Sequence, residues 1–134
     1  MRPKVLMVDD QPDMLEGLAW LLRDEGIDVV IHPSVITLPL VIRNVQPDLI
    51  LLDLSMPALS GAALFKLGRE KLRTDAPLLL FSGSSVDELA RIAEECGADG
   101  FLAKSQEPVD LIARIQSWLD HRFALCAAAL EKSA

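Results

Sequence analysis

The sequence predicts an α/β domain of the doubly wound type: a parallel sheet with helices on both faces. Two patterns carry this expectation. Short apolar runs alternate five times with stretches whose apolar residues recur at helical spacing. The central runs are apolar on consecutive residues, as strands covered on both faces must be. Strands joined by single helices make a parallel sheet, because each crossover packs back over it. The length of 134 residues agrees. Domains cluster at roughly 100–150 residues, and such a chain buries about two-thirds of its unfolded surface.

The elements follow in order. Lys4–Val8 is the first strand. A helix follows over Gln11–Glu25, with Met14, Leu18 and Leu21 at helical spacing, Leu15 and Leu22 alongside, and Gly26 closing it. Asp10, before Gln11-Pro12, suits its N-cap. Asp28–Ile31 is the second strand. The second crossover, Ser34–Val45, is the least regular. Pro39 inside a helix would cost ~3 kcal/mol, so that helix starts near Pro39, with Thr37 or Leu38 at its head. Asp48–Leu52 is the third strand. Ser60 caps a helix over Gly61–Leu72, and Pro77–Phe81 is the fourth strand. Ser85 and Glu88 make an S-x-x-E capping box for a helix with Leu89, Ile92, Ala93 and Cys96 on one face, ended by Gly97. Gly100–Ala103 is the fifth strand. Pro108 opens a last helix carrying Leu111, Ile112, Ile115, Trp118 and Leu119. Trp20 and Trp118 read as helix packing. The domain is expected over residues 1–120. The alanine- and leucine-rich tail, 121–134, extends the last helix by about two to three turns. The length leaves room for this domain and a helical tail, so the chain is either a single-domain protein or part of a longer one.

Composition excludes several classes. Cys96 and Cys126 lie in no CxxC or Cys/His cluster, against a disulfide framework or structural zinc. No apolar run approaches the ~18 residues that span a bilayer. The opening MRPKVLMVDD reads as a strand, not a signal peptide. With 20 acidic against 13 basic residues and a net charge of −7, this domain alone is a poor nucleic-acid binder. A hydrophobic content of 51% excludes disorder. The expectation is a compact acidic domain of the cytoplasm, with no membrane partner.

In a doubly wound sheet, function collects at the carboxyl ends of the strands. Asp9 and Asp10 follow the first strand. Asp53 ends the third, Ser82 the fourth and Lys104 the fifth. His32-Pro33-Ser34, after the second, is uninformative. Singly, most of these have bland readings: Asp10 a helix cap, Ser82 a turn residue in SGSS, Lys104 a solvated loop lysine. Asp53 is different, because it follows four apolar residues where an unpaired carboxylate is expensive. Together they converge on one edge. Three carboxylates there repel, and a hard divalent cation relieves the repulsion. Asp10 and Asp53 are candidate direct Mg²⁺ ligands. Asp9 would act through water, and a backbone carbonyl just after Asp53 could add another ligand. A metal beside a lysine and a hydroxyl suits phosphoryl transfer, which needs positioning and charge neutralisation most of all. Asp53 is then the in-line nucleophile, giving an aspartyl-phosphate.

These residues resemble the receiver domain of bacterial two-component response regulators. The resemblance covers residues 3 to about 120. It rests on Asp9-Asp10, Asp53 in DLSMPALSG with its Met56-Pro57…Gly61 loop, Ser82 in FSGS, and Phe101 and Lys104 in GFLAKS. It implies the strand order 2-1-3-4-5. It implies that Asp53 accepts a phosphoryl group from the phosphohistidine of a sensor histidine kinase or phosphotransfer protein. Mg²⁺ would be held by Asp10, Asp53 and the Ser55 carbonyl, with Asp9 nearby. Ser82 and Lys104 would engage the phosphate, and Phe101 would be the switch aromatic. The output would be a changed surface on the Ser85 helix, the fifth strand and the last helix, read by a partner or a second copy. Such a domain catalyses only its own phosphotransfer and dephosphorylation.

The sequence departs from the family pattern in three places. Ser105 stands where the family usually has a proline after the lysine. A cis bond to a non-proline costs ~2.5–4 kcal/mol, so a trans Lys104–Ser105 bond is expected. Pro39 and the tail are the other two. Three other classes fit less well. A haloacid-dehalogenase-like phosphatase would carry an acid where Ser55 stands. A flavodoxin-like cofactor binder would not place Asp9-Asp10 in its phosphate loop. A pseudo-receiver, binding partners without phosphorylation, would not need the full acidic set.

Overall fold

The computed structural model describes residues 2–9, 15–33, 37–53 and 74–133, with side chains at all of these except 96 and 125–133. Five strands form one sheet: β1 (Lys4–Val8), β2 (Asp28–His32), β3 (Leu49–Asp53), β4 (Leu78–Ser82) and β5 (Gly100–Ala103). All pairings are parallel and the order is β2-β1-β3-β4-β5, as the resemblance implied. The order reverses between β1 and β3, so the switch-point crevice lies at their carboxyl ends. The described helices are Glu16–Asp24, Leu38–Val45, Val86–Cys96 and Pro108–Ser133. The expected helix over Gly61–Leu72 lies outside the described residues.

Consecutive apolar residues in the strands feed two separate cores, because successive side chains point to opposite faces. Val5, Met7, Leu49, Leu51, Leu79 and Phe81 pack with Ala19 and Leu22 of the first helix and Leu111, Ile115 and Leu119 of the last. Their alternates, Leu6, Val8, Ile50, Leu52 and Leu80, pack with Leu38, Ile42 and Ala93 on the other face. Two of the described helices thus pack on each face. Trp118 packs on the first of these cores, but Trp20 is 65% exposed, correcting its expected packing role. It follows Ala19 by one residue, a third of a turn away from the face that Leu15, Ala19 and Leu22 bury.

The helix ends obey local chemistry. Gly26 (φ 86°), after the Glu16–Asp24 helix, and Gly97 (φ 71°), after the Val86–Cys96 helix, take the left-handed conformation that glycine adopts without strain. The Ser85 hydroxyl accepts the Glu88 amide at 3.3 Å, capping its helix. Pro39 falls in the first turn of the Leu38 helix, behind Thr37, where no intrahelical N–H is lost. The Thr37 hydroxyl instead pairs with the His32 Nε2 at 2.8 Å.

Two contacts were not legible in the chain. Arg122 donates to the Asp75 carbonyl and to its Oδ1, each at 3.2 Å, and lies 3.6 Å from Asp48 Oδ1. It ties the last helix to the amino ends of β3 and β4, opposite the acidic edge. Gly100 of β5 lies under Trp118, and a Cβ added there would stand 2.9 Å from Trp118 Cζ2 and 3.2 Å from Leu79 Cδ2. Gly100→Ala should therefore overpack this joint and lower stability by about 1–3 kcal/mol, read as a lower urea midpoint at unchanged slope.

Candidate functional site

The site is built where the strands end. Asp9 directly follows β1, and its amide donates to the His32 carbonyl at 3.1 Å, extending the β1–β2 ladder by one bond. Asp53 is the last residue of β3 and stands in register with Phe81 of β4. Ser82 ends β4 opposite Ala103, and the next amide, that of Lys104, donates to the Ser82 carbonyl at 2.8 Å. Backbone register alone thus brings four of the expected residues to one edge.

The electrostatics centre on Lys104. Its ammonium donates to Asp53 Oδ2 at 2.6 Å and stands 3.7 Å from Asp9 Oδ2. Both carboxylates are buried, at 2% and 1% exposure. The ammonium also lies 5.3 Å from the centroid of the Phe81 ring, within cation–π range. Asp53 is its principal partner by distance. Two buried carboxylates thus share one ammonium in a low-dielectric pocket. Charge-assisted bonds of this length are the strong ones, and burial deepens the cost of losing one partner.

The Ser82 hydroxyl, 5% exposed, is engaged within its own loop. It accepts the Ser84 amide at 3.2 Å and shares a second bond with the Ser84 hydroxyl at 3.2 Å. Phe101 is half-buried on β5 and packs against the second core, as do Ile92 and Ala98. The Lys104–Ser105 bond is trans, since the described chain has no cis peptide bond. Asp10 and Ser55, with Met56, Pro57 and Gly61, lie outside the described residues. Phe81 was missed by sequence reasoning, which treated it only as an apolar strand residue. Its place opposite Asp53 and one before Ser82 was the available signal.

Two buried carboxylates sharing one ammonium fit a hard cation: the oxygen donors suit Mg²⁺, which is usually held by one or two carboxylates plus waters and phosphate oxygens. Among the described residues no group of three acid, histidine or cysteine ligands forms. A fuller ligand set would need Asp10 or the carbonyl after Asp53. No described helix is long and apolar enough to cross a membrane.

A doubly wound sheet with a buried acid–lysine cluster at its switch point defines a class of α/β domain, and comparison narrows it. The family model of the response regulator receiver domain matches residues 5–116. The chain is 32% identical to the DNA-binding response regulator MtrA of Mycolicibacterium smegmatis over 119 residues, 89% of this chain and 51% of that protein. It is 36% identical to the transcriptional regulatory protein PrrA of Mycobacterium leprae over 134 residues, 96% of this chain and 55% of that one. It therefore spans about half the length of these relatives. Among solved structures, a CheY-like receiver domain protein from Methanospirillum hungatei superposes with a TM-score of 0.77 at 26% identity, covering 92% of this chain and 98% of that one. The chain belongs to the response regulator receiver domain family, the signalling domains of two-component systems.

Proposed function

We propose that the chain is a phosphorylation-controlled switch with Asp53 as the phosphoacceptor. The observation that carries this reading is the buried Lys104–Asp53 bond of 2.6 Å, with Asp9 beside it at the carboxyl edge of the sheet. An Asp53 carboxylate oxygen forms a bond to phosphorus as the bond from phosphorus to the donor breaks. With a phosphohistidine donor, the neutral imidazole is the leaving group after protonation. The Lys104 ammonium is close enough to Asp53 to follow the negative charge onto a transferred phosphoryl oxygen. Ser82, one strand away, supplies a hydroxyl donor to another oxygen. Mg²⁺ held by Asp9, Asp10, Asp53 and the Ser55 carbonyl would offset the remaining charge.

The phosphoryl source is a sensor histidine kinase or a phosphotransfer protein. The readout is a change in the surface formed by the Val86–Cys96 helix, β5 and the Pro108–Ser133 helix, including repositioning of Phe101. A partner protein or a second copy of the domain reads it, in the cytoplasm. The receiver unit spans 1–120 and the tail 121–134 continues its last helix. The acidic receiver does not itself bind nucleic acid. Ser55 and Ser84 are small, so water reaches the acyl phosphate and its lifetime is not unusually long.

Incubation with acetyl phosphate and Mg²⁺ tests the reading through intact mass. One phosphoryl group per chain is expected, and none when Mg²⁺ is chelated. Uptake that ignores chelation would remove the metal from the account. No uptake by the wild-type chain, from acetyl phosphate or from a phosphorylated kinase, would leave a partner-binding pseudo-receiver instead.

A further inference from the structure

The Ser82 hydroxyl has, in the phosphorylated chain, two competing partners. Its backbone is held, because the Lys104 amide donates to its carbonyl at 2.8 Å. The remaining freedom is the side-chain torsion, and Ser84 occupies both sides of that hydroxyl. The Ser84 amide fills one acceptor position at 3.2 Å, and the Ser84 hydroxyl shares a bond at 3.2 Å. Ser82 is 5% exposed, so water competes weakly for these bonds. Either hydroxyl can donate in that bond, and turning the Ser82 side chain toward a phosphoryl oxygen on Asp53 gives the bond up whichever one donates.

We propose that Ser84 is a positioning residue that holds the Ser82 hydroxyl in its unphosphorylated pose, and so opposes engagement of the phosphoryl group. The proposal rests on the phosphoacceptor reading. Ser84 touches no reacting atom and acts only through Ser82. Removing its hydroxyl while keeping its amide lowers the cost of turning Ser82 toward Asp53 by about one net hydrogen bond, a three- to tenfold shift.

The test uses beryllium trifluoride, a stable mimic of the aspartyl phosphoryl group, titrated in the presence of Mg²⁺. Ser84→Ala should bind it about three- to tenfold more tightly than wild type. Ser84→Thr keeps the hydroxyl and should stay near wild type. In a Ser82→Ala background, Ser84→Ala should change nothing, because the coupling runs through Ser82. Unchanged or weaker binding by Ser84→Ala overturns the proposal, as does equal tightening with Ser82 already removed. A merely structural role for Ser84 would lower the urea midpoint and leave the affinity untouched. Failure of the wild-type chain both to bind the mimic and to accept a phosphoryl group would overturn the phosphoacceptor reading itself. Normal wild-type uptake with no Ser84 effect overturns this inference alone.

Discussion

Asp53→Asn should abolish phosphoryl uptake from acetyl phosphate while leaving the fold intact. The amide is nearly isosteric with the carboxylate but is a poor nucleophile, so labelling falls to background. The stability outcome follows from counting charge. Asp9 and Asp53 are both buried and share the Lys104 ammonium. Neutralising Asp53 relieves the repulsion between two carboxylates and still leaves Lys104 beside Asp9 at 3.7 Å. The lysine side chain also keeps 21% exposure and some access to water. Stability should therefore stay within about 1 kcal/mol of wild type, or rise. A urea titration of both proteins at neutral pH reads this. Large destabilisation of Asp53→Asn would mean that the carboxylate serves mainly as a structural anchor for Lys104.

Lys104→Met should have the opposite profile. Methionine keeps an unbranched stem against Phe81 and removes the charge. The two buried carboxylates then face each other without the ammonium. Losing one partner of a buried ion pair costs about 3–5 kcal/mol, so the urea midpoint should drop steeply. Combining the change with Asp53→Asn should recover part of the loss, since one carboxylate is gone. That recovery is a coupling energy between two residues in contact, and independent effects would simply add. Added Mg²⁺ should raise the thermal midpoint of Lys104→Met more than that of wild type, because the cation replaces missing positive charge. Phosphoryl uptake should slow by about 10²–10³-fold, the usual cost of one aligned electrostatic donor.

The asymmetry between these variants explains much of what the sequence could and could not reveal. The edge position of Asp9, Asp53, Ser82 and Lys104 follows from strand order and register, and both follow from the hydrophobic pattern. Four buried residues in a row, Leu49–Leu52, require a strand covered on both faces. The residue after them must then emerge at the carboxyl edge. Pro39 also marked its helix start correctly, since its fixed φ and missing N–H suit only the first turn. The family-level reading came from those same positions.

Other features depend on side chains meeting across the fold, which spacing along the chain does not encode. Lys104 reads as a solvated loop lysine until its ammonium is seen between Asp53 and the Phe81 ring. Ser84 reads as one of three serines in SGSS until its hydroxyl is found on that of Ser82. Arg122 lies in the alanine- and leucine-rich tail, yet it binds Asp75 and approaches Asp48 at the far end of the sheet. Trp20 failed for a simpler reason. Helical periodicity defines a stripe, and a large apolar residue one position off that stripe faces water.

The identity of the acceptor can be read chemically. Acyl phosphates are reduced by borohydride to the alcohol, whereas free carboxylates are not, so a phosphorylated aspartate becomes homoserine. The chain would be treated with acetyl phosphate and Mg²⁺, reduced, digested and mapped by peptide mass. The account predicts homoserine at position 53 and nowhere else. Homoserine at position 9 or 10, or a phosphorylated chain with no homoserine at 53, would contradict it.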